Sequence, residues 1–400
     1  DLMYKLKLDG GSVFDFSVGG MYRDKKRDSF FNEYTFNSAT GVKDPQYQGE
    51  DWNNYDEILF TPLKYGNISD PLNYDATEKI GAGYGMVKYT YRKWEFIAGV
   101  RVEHTNQGYT LKFPTENTDP EGNQKYTDVL PSFHAKYGVH KNANLRFSYA
   151  RSINRPSFFE IVPYSIINED YKEKGNPDLK HTVADNLDLR YEFFPKSSEQ
   201  FMVGMFYKRL KNPIEYGLLN EGQDTYYKPM NFGNATNLGV EVDVMKYFNW
   251  FGIKANYTYT HSSITTEKRI MDGNDVKTCT QTRPLFGQAA HVANLSLLFK
   301  STKYGWEGQI AGSYTGKRLS DISNWYDDDI WEDGYLQLDA SVEKSFKNGI
   351  SLFAKASNLL RFIQSGPRTE NVNSERNDGN VIERKEWHGQ SFMLGIRYKL

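Results

Sequence analysis

The sequence predicts an all-β protein: a transmembrane, antiparallel, up-and-down β-barrel of which about fifteen strands are present. Three observations predict it. First, the last ten residues, Ser391 to Leu400, alternate strictly, with Phe392, Leu394, Ile396, Tyr398 and Leu400 on one face and Met393, Gly395, Arg397 and Lys399 on the other. Successive side chains of a strand point to opposite sides, so this spacing builds one continuous apolar face. Second, the same alternation recurs in paired segments along the chain. Third, the links within pairs are short and those between pairs are long, the connectivity of an outer-membrane barrel.

The strands are expected in order. Leu2–Leu8 and Val13–Arg23 join at Asp9–Ser12. Ile80–Arg92 and Trp94–His104 join at Lys93, and Val129–Val139 and Leu145–Ile153 at His140–Asn144. Ala184–Phe194 and Phe201–Leu210 join at Pro195–Gln200, and Leu238–Phe248 and Trp250–His261 at Asn249. Val292–Lys300 and Trp306–Lys317 join at Ser301–Gly305, and Tyr335–Phe346 and Ile350–Leu360 at Lys347–Gly349. Asn, Gly, Lys and Pro supply the turn chemistry. Long polar stretches separate the pairs: Asp24–Lys79, Asn106–Asp128, Asn154–Val183, Lys211–Asn237, Ser262–Gln288, Arg318–Gly334 and Arg361–Gln390. Some are expected to extend the strands as hairpins.

Facing follows from the same pattern. Leu336, Leu338, Ala340 and Val342 alternate with Gln337, Asp339, Ser341 and Glu343; Leu187, Leu189, Tyr191 and Phe193 alternate with Asp188, Arg190 and Glu192. A Lys or Arg facing lipid costs about 2–4 kcal/mol near the midplane. The charged face, including Arg101, Glu103, Glu241, Asp243, Asp339 and Glu343, is therefore expected to line a wet or protein-filled lumen. A soluble sheet with one solvated face shows similar alternation, but it does not repeat short and long connections in this way.

Composition agrees with a barrel. The chain is 25% charged with 15% aromatic residues, and its formal net charge of -2 argues against a nucleic-acid surface. Mean hydropathy is -0.69, and no run approaches the length of a spanning helix; a barrel needs none, because only alternate residues meet lipid. Aromatics suit interfacial girdles. The single cysteine, Cys279, rules out an internal disulfide framework.

Single-chain bacterial barrels have even strand numbers. An odd count that enters from the long-loop side predicts that residues 1–400 are the C-terminal part of one transmembrane barrel domain, with an odd number of strands upstream and the C-terminus periplasmic.

Several segments resemble TonB-dependent receptors of the outer membrane. Arg151-Ser152-Ile153-Asn154-Arg155-Pro156-Ser157-Phe158 is similar to that family's run where a strand leaves the membrane. Gly175-Asn176-Pro177-Asp178-Leu179-Lys180 resembles a following loop, with His181-Thr182 in place of the usual Pro-Glu. Gly99-Val100-Arg101-Val102-Glu103, Leu130-Pro131-Ser132, Gly19-Gly20-Met21-Tyr22-Arg23, Gly239-Val240-Glu241-Val242 and Ser357-Asn358-Leu359-Leu360 are also family-like, in the right order. Leu400 stands where such barrels usually end in an aromatic. The resemblance implies a 22-stranded barrel of this kind in the parent, a size that is usually plugged. It also implies an N-terminal plug, absent from these residues together with the first strands, and coupling to the TonB complex. Further implied partners are outer-membrane lipid, a scarce solute of the siderophore, cobalamin, glycan or peptide class, and an extracellular lipoprotein lid.

No catalytic motif is found. The seven His lack metal-ligand spacing, and Gly81-Ala82-Gly83-Tyr84-Gly85 fails G-x-G-x-x-G. Neither a catalytic residue nor a metal site nor a cofactor is expected. The ligand-binding candidates are loop residues. Trp325, Tyr326, Asp327, Asp329 and Trp331 combine aromatics with carboxylates that could contact a sugar or a cation; the competing reading is interfacial anchoring. Phe158, Phe159, Tyr164, Tyr226 and Tyr227 are candidates for an extracellular binding surface. The functional expectation is an outer-membrane receptor and transporter; the alternatives are a passive porin or structural barrel, or a barrel enzyme.

Overall fold

The computed structural model describes residues 1–32, 36–38, 60–62, 72–114, 119–167, 171–221, 224–361, 363–368 and 381–398. Its main element is a 16-stranded antiparallel sheet. Fifteen of its strands form one path in chain order. They are β1 (Leu2–Leu8), β2 (Ser12–Ser29), β3 (Tyr74–Tyr91), β4 (Trp94–Leu111), β5 (Glu121–His140), β6 (Ala143–Asn154), β7 (Thr182–Phe193) and β8 (Gln200–Lys211), then β9 (Asn234–Phe248), β10 (Phe251–Asp272), β11 (His291–Ser301), β12 (Trp306–Thr315), β13 (Tyr335–Ser345), β14 (Ile350–Ser357) and β15 (Ser391–Tyr398). Each pairs with its sequence neighbours on the path, as up-and-down connectivity requires. The fifteen expected strands are all present, in the expected order. The path ends at β1 and β15, and no pairing between those two is among the described pairings. The expected residues Lys399 and Leu400 lie outside the described residues.

Strand lengths depart from the expectation on one side only. At the short-turn ends the boundaries agree closely; Asn249 takes φ +49° in the turn between β9 and β10, a left-handed conformation Asn tolerates well. At the long-loop ends β2 to β5 and β10 run on, whereas β12 and β14 stop short of the expected Lys317 and Leu360, at Thr315 and Ser357; β10 continues to Asp272 and turns back as Asp275–Arg283, the sixteenth strand of the sheet. Alternation continues there, but with polar residues on both faces, so hydropathy alone did not carry the strand past the apolar band.

The two faces are those the pattern predicts. Val240, Leu187, Leu189, Leu295, Ile310, Leu336 and Val342 are exposed on one face, with Phe392, Leu394 and Ile396 exposed at 70%, 84% and 73%. Near the short turns this face carries an aromatic ladder: Phe14–Tyr89 at 4.6 Å between ring centroids, Trp94–Tyr137 at 4.5 Å and Trp250–Phe299 at 5.6 Å. The opposite face holds the charges, paired across strands: Arg146–Glu192 (2.7 Å), Arg190–Glu241 (3.2 Å) and Arg397–Glu343 (3.1 Å). The buried apolar core lies outside this band. Tyr74, Ala76, Tyr109, Leu111, Phe158, Ile161, Val162, Tyr164 and Leu179 cluster at the long-loop ends of the strands.

Candidate functional site

Several stretches expected as loops build a second sheet. Its eight strands, in spatial order, are Val381–Trp387, Ile363–Arg368, Ile330–Glu332, Arg318–Ser323, Ile214–Glu221, Asp224–Asn231, Lys172–Lys174 and Ser165–Ile167. They come from four long connections, and two of the pairings are parallel: Gly217 with Ile322, and Lys172 with Tyr226. Pairing between connections satisfies backbone groups that separate loops would leave to water.

The connection 155–181 is fastened to the polar face of β4 and β5. Arg155 bonds Glu103 and Thr105, the Gln107 amide donates to the Pro156 carbonyl (2.8 Å), and Gln124 donates to the carbonyls of Pro177 (3.0 Å) and Leu179 (2.7 Å). His181 meets Asp128 at 3.0 Å and stacks on Tyr126. Ser157 and Glu160 form a reciprocal capping box on the one-turn helix α1 (Phe158–Ile161). Gly175 is required by space, because a Cβ there would stand 1.8 Å from the Val162 carbonyl oxygen. Asn176 then donates to the Pro229 carbonyl (2.8 Å), tying this connection to the next. Two of the motifs that carried the resemblance, 151–158 and 175–180, thus supply the fastening points of one connection.

Two buried ion pairs lock the rest. Lys268 Nζ donates to Asp329 (2.7 Å) and to the Ser323 carbonyl, and the Ser323 amide donates to Asp329 (2.9 Å). Burial pushes the Lys268 pKa down in spite of the Asp329 carboxylate. The Arg283 guanidinium is bidentate on Glu215 (3.1 Å each), and Glu215 also accepts the Phe286 amide (2.7 Å).

The ten candidate residues are not all presented to solvent. Tyr164 is buried; its hydroxyl donates to Glu173 (2.8 Å), and burial followed by that carboxylate raises its pKa. Phe158 is buried with Lys25 4.9 Å from its ring centroid. Asp329 is the buried partner of Lys268. These three belong to the packing beneath the sheet, a departure from the expected open surface. Phe159 packs on Tyr164 (4.1 Å) and is half-buried. Tyr226 and Tyr227 sit in a strand. Lys174 stands 4.2 Å from the Tyr226 ring centroid, and Tyr227 stacks on Tyr216 (5.0 Å), with burial raising its hydroxyl pKa. Trp325 bridges to Arg269, and the Tyr326 amide donates to the Arg269 carbonyl (2.8 Å). Burial, then Asp329 and Asp328, raises the Asp327 carboxyl pKa. Trp331 is half-buried with Lys317 5.1 Å from its ring centroid. Tyr226 and Tyr227, adjacent in one strand, turn to opposite sides, Tyr226 toward Lys172 and Lys174 and Tyr227 toward Tyr171 and Tyr216; Trp325 and Tyr326 lie against Arg269, and Trp331 beside Lys317, all half-buried. Such surfaces bind by stacking and ion pairing. Among the described residues, no group of three or more His, Cys, Asp or Glu side chains could hold a metal ion.

Sequence reasoning missed Lys268, Glu215 and Arg283. One signal was available: Lys268 lies in phase with Ile264 and Thr266, and all three are buried.

A membrane-type antiparallel sheet with an apolar outer face, a charge-paired inner face and long connections assembled at one end defines an outer-membrane β-barrel protein. The model of the outer membrane protein beta-barrel family matches residues 4–398, and the chain belongs to that family. No curated protein sequence matches it. Its fold is similar to that of the siderophore receptor PiuA from Acinetobacter baumannii, with a TM-score of 0.69, 15% identity, and coverage of 99% of this chain and 54% of that one. It is also similar to the ferric citrate transporter FecA (TM-score 0.65, 12% identity, 98% and 52% covered). A third likeness is to the FrpB iron transporter from Neisseria meningitidis (TM-score 0.56, 12% identity, 99% and 54% covered). The chain spans about half the length of these solved structures.

Proposed function

We propose that this chain is the C-terminal portion of the barrel of a TonB-dependent receptor, which takes up a scarce solute across the outer membrane. The observation that carries the reading is the second sheet. Four connections are joined edge to edge and locked by buried ion pairs above a charged inner face, which makes a preorganised platform at one end of the barrel. A passive pore has no need of such a platform. The half-buried candidates Phe159, Tyr226, Tyr227, Trp325, Tyr326, Asp327 and Trp331 would meet the ligand there, while Phe158, Tyr164 and Asp329 would support them. Upstream strands would complete a 22-stranded barrel, and an upstream plug would occupy its lumen against residues such as Arg101, Glu241 and Asp243. The long connections would face outward and the C-terminus the periplasm. No covalent step is required: binding at the platform, followed by a pull on the plug, moves the solute inward. An extracellular lipoprotein would serve as the lid over the platform. The fold likeness to siderophore and iron receptors supports the reading, and a siderophore, cobalamin, glycan or peptide are the solute classes to test.

The test uses the full-length protein and its deletion strain. Uptake of labelled ferric siderophores, cobalamin, oligosaccharides and peptides is compared with and without the gene, and with the TonB complex inactivated. Uptake of one class that needs both the gene and the complex supports the proposal. Large steady conductance of the purified protein in planar bilayers, with uptake indifferent to the complex, would replace it with a passive pore.

A further inference from the structure

The apolar face of β11–β15 is not evenly covered. A groove of ≈ 480 Å³ runs along it, lined by Phe299, Ile310, Val342, Ala354, Ala356 and Phe392 among others. Its floor is set by small side chains in register: Phe299 faces Gly308, Gly308 faces Val342, and Val342 faces Ala354. One row further from the short turns, Ile310 faces Ala340, Ala340 faces Ala356, and Ala356 faces Phe392. Phe299 and Phe392, 38% and 70% exposed, stand at opposite sides.

The end of the groove nearest the short turns is basic. Trp306 pairs with Lys344 in the row below Gly308 and Val342, and the Ser345 amide donates to the Gly305 carbonyl (2.7 Å), which brings the two turns together. Lys303 and Lys347 lie on these turns and Lys344 at the end of β13, and neither 301–306 nor 344–350 contains Asp or Glu. The flanking carboxylates Glu307 and Glu343 alternate onto the other face, where they bond Lys300 (2.8 Å) and Arg397 (3.1 Å). Lys344 stands 5.1 Å from the Trp306 ring centroid, and Lys303 stands 5.3 Å from that of Tyr304. Lys344 Nζ also donates to the Tyr304 carbonyl. An apolar channel that ends beside basic side chains, two of them on interfacial aromatics, is complementary to a chain attached to an anionic phosphate.

We propose that this groove is a glycerophospholipid site. One acyl chain lies over Ala354 and Ala356 between Phe299 and Phe392, and the phosphate is held by Lys303, Lys344 and Lys347. The site rests on the apolar face meeting lipid, not on the solute that the receptor carries, so failure of the uptake test leaves it standing.

The experiment is native mass spectrometry of the full-length protein in mild detergent, titrated with phosphatidylglycerol. Retention of the folded state is checked by heat-modifiable gel mobility. The wild type is expected to keep one tightly held lipid. The triple variant Lys303→Gln, Lys344→Gln, Lys347→Gln is expected to bind it roughly tenfold to a hundredfold more weakly, since each basic group near an anionic lipid surface contributes severalfold. Ala354→Leu, which fills the groove from the lipid side, is expected to lose the lipid, and Lys141→Gln on a remote short turn to keep it. Unchanged retention in either the triple variant or Ala354→Leu overturns the proposal. So does a wild-type dimer that Ala354→Leu dissociates, because a second copy would then occupy the groove, and so does displacement of phosphatidylglycerol by lipid A at equal concentration.

Discussion

Replacing Asp329 with alanine leaves the Lys268 ammonium buried without its counter-charge. The two side chains are 1% and 3% exposed, so solvent screens neither. Removing one partner of a buried pair costs about 3–5 kcal/mol, and here the Ser323 amide loses its acceptor as well. The loss falls on the contacts that hold residues 318–332 to β10, and not on the strands within the membrane band, so it is a local opening. At about 3 kcal/mol the opening equilibrium shifts by roughly a hundredfold. Hydrogen exchange reads it directly at the amides of Arg269 and Tyr326, which bond the Asn324 and Arg269 carbonyls at 2.8 Å each. Both are expected to exchange about a hundredfold faster in Asp329→Ala, while amides of β7 and β8 stay at the wild-type rate. Lys268→Met combined with Asp329→Leu removes both charges, and pair replacement by apolar groups is often neutral, so protection should return. Wild-type protection in the single variant, or a double variant as open as the single one, would refute the assignment of the lock to this ion pair.

Other expectations are as concrete. Leu338→Arg places a charge on the apolar face at a cost of about 2–4 kcal/mol near the midplane, whereas Gln337 lies on the polar face beside Asp339 (3.1 Å); Leu338→Arg should impair membrane assembly far more than Gln337→Arg, measured as the folded fraction on a heat-modifiable gel. Gly175→Ala forces the Val162 carbonyl to move and should release residues 155–181 to limited proteolysis with the barrel intact; equal resistance would show that the contact is easily relieved. Asp327 binds its proton more tightly in the folded state, since its pKa is raised by burial and by Asp329 and Asp328. Its contribution therefore favours folding at low pH and is lost as pH rises through the folded pKa. Asp327→Asn should slow exchange at Tyr326 at neutral pH and change nothing below the ordinary carboxylate range; a gain that persists at low pH would rule out ionisation as its source.

The strand alternation was legible because it is local. Leu187 and Leu189 face lipid, and Asp188 and Arg190 do not, whatever the rest of the chain does, since the pleat sets successive side chains on opposite sides. The fifteen strands of the main path, their order and their facing could therefore be read from the sequence, as could the short-turn boundaries, where apolar alternation stops at Asn249 or Lys93. The second sheet could not be read in this way. Segments such as Lys172–Lys174 and Ile330–Glu332 are 3 residues each, too short to show a period, and become strands because a neighbouring connection supplies the hydrogen bonds. The same limit hid the buried roles of Phe158, Tyr164 and Asp329, which resemble exposed loop residues in isolation. Lys268 and Asp329 are 61 positions apart, and Glu215 and Arg283 are 68 apart. Whether such a charge is solvated or buried against its partner depends on which connections meet in space. The sequence by itself determined the barrel strands and their faces, because backbone geometry makes these a property of neighbouring residues; only the tertiary structure decided what the long connections build, because their burial exists only once separate connections pack together.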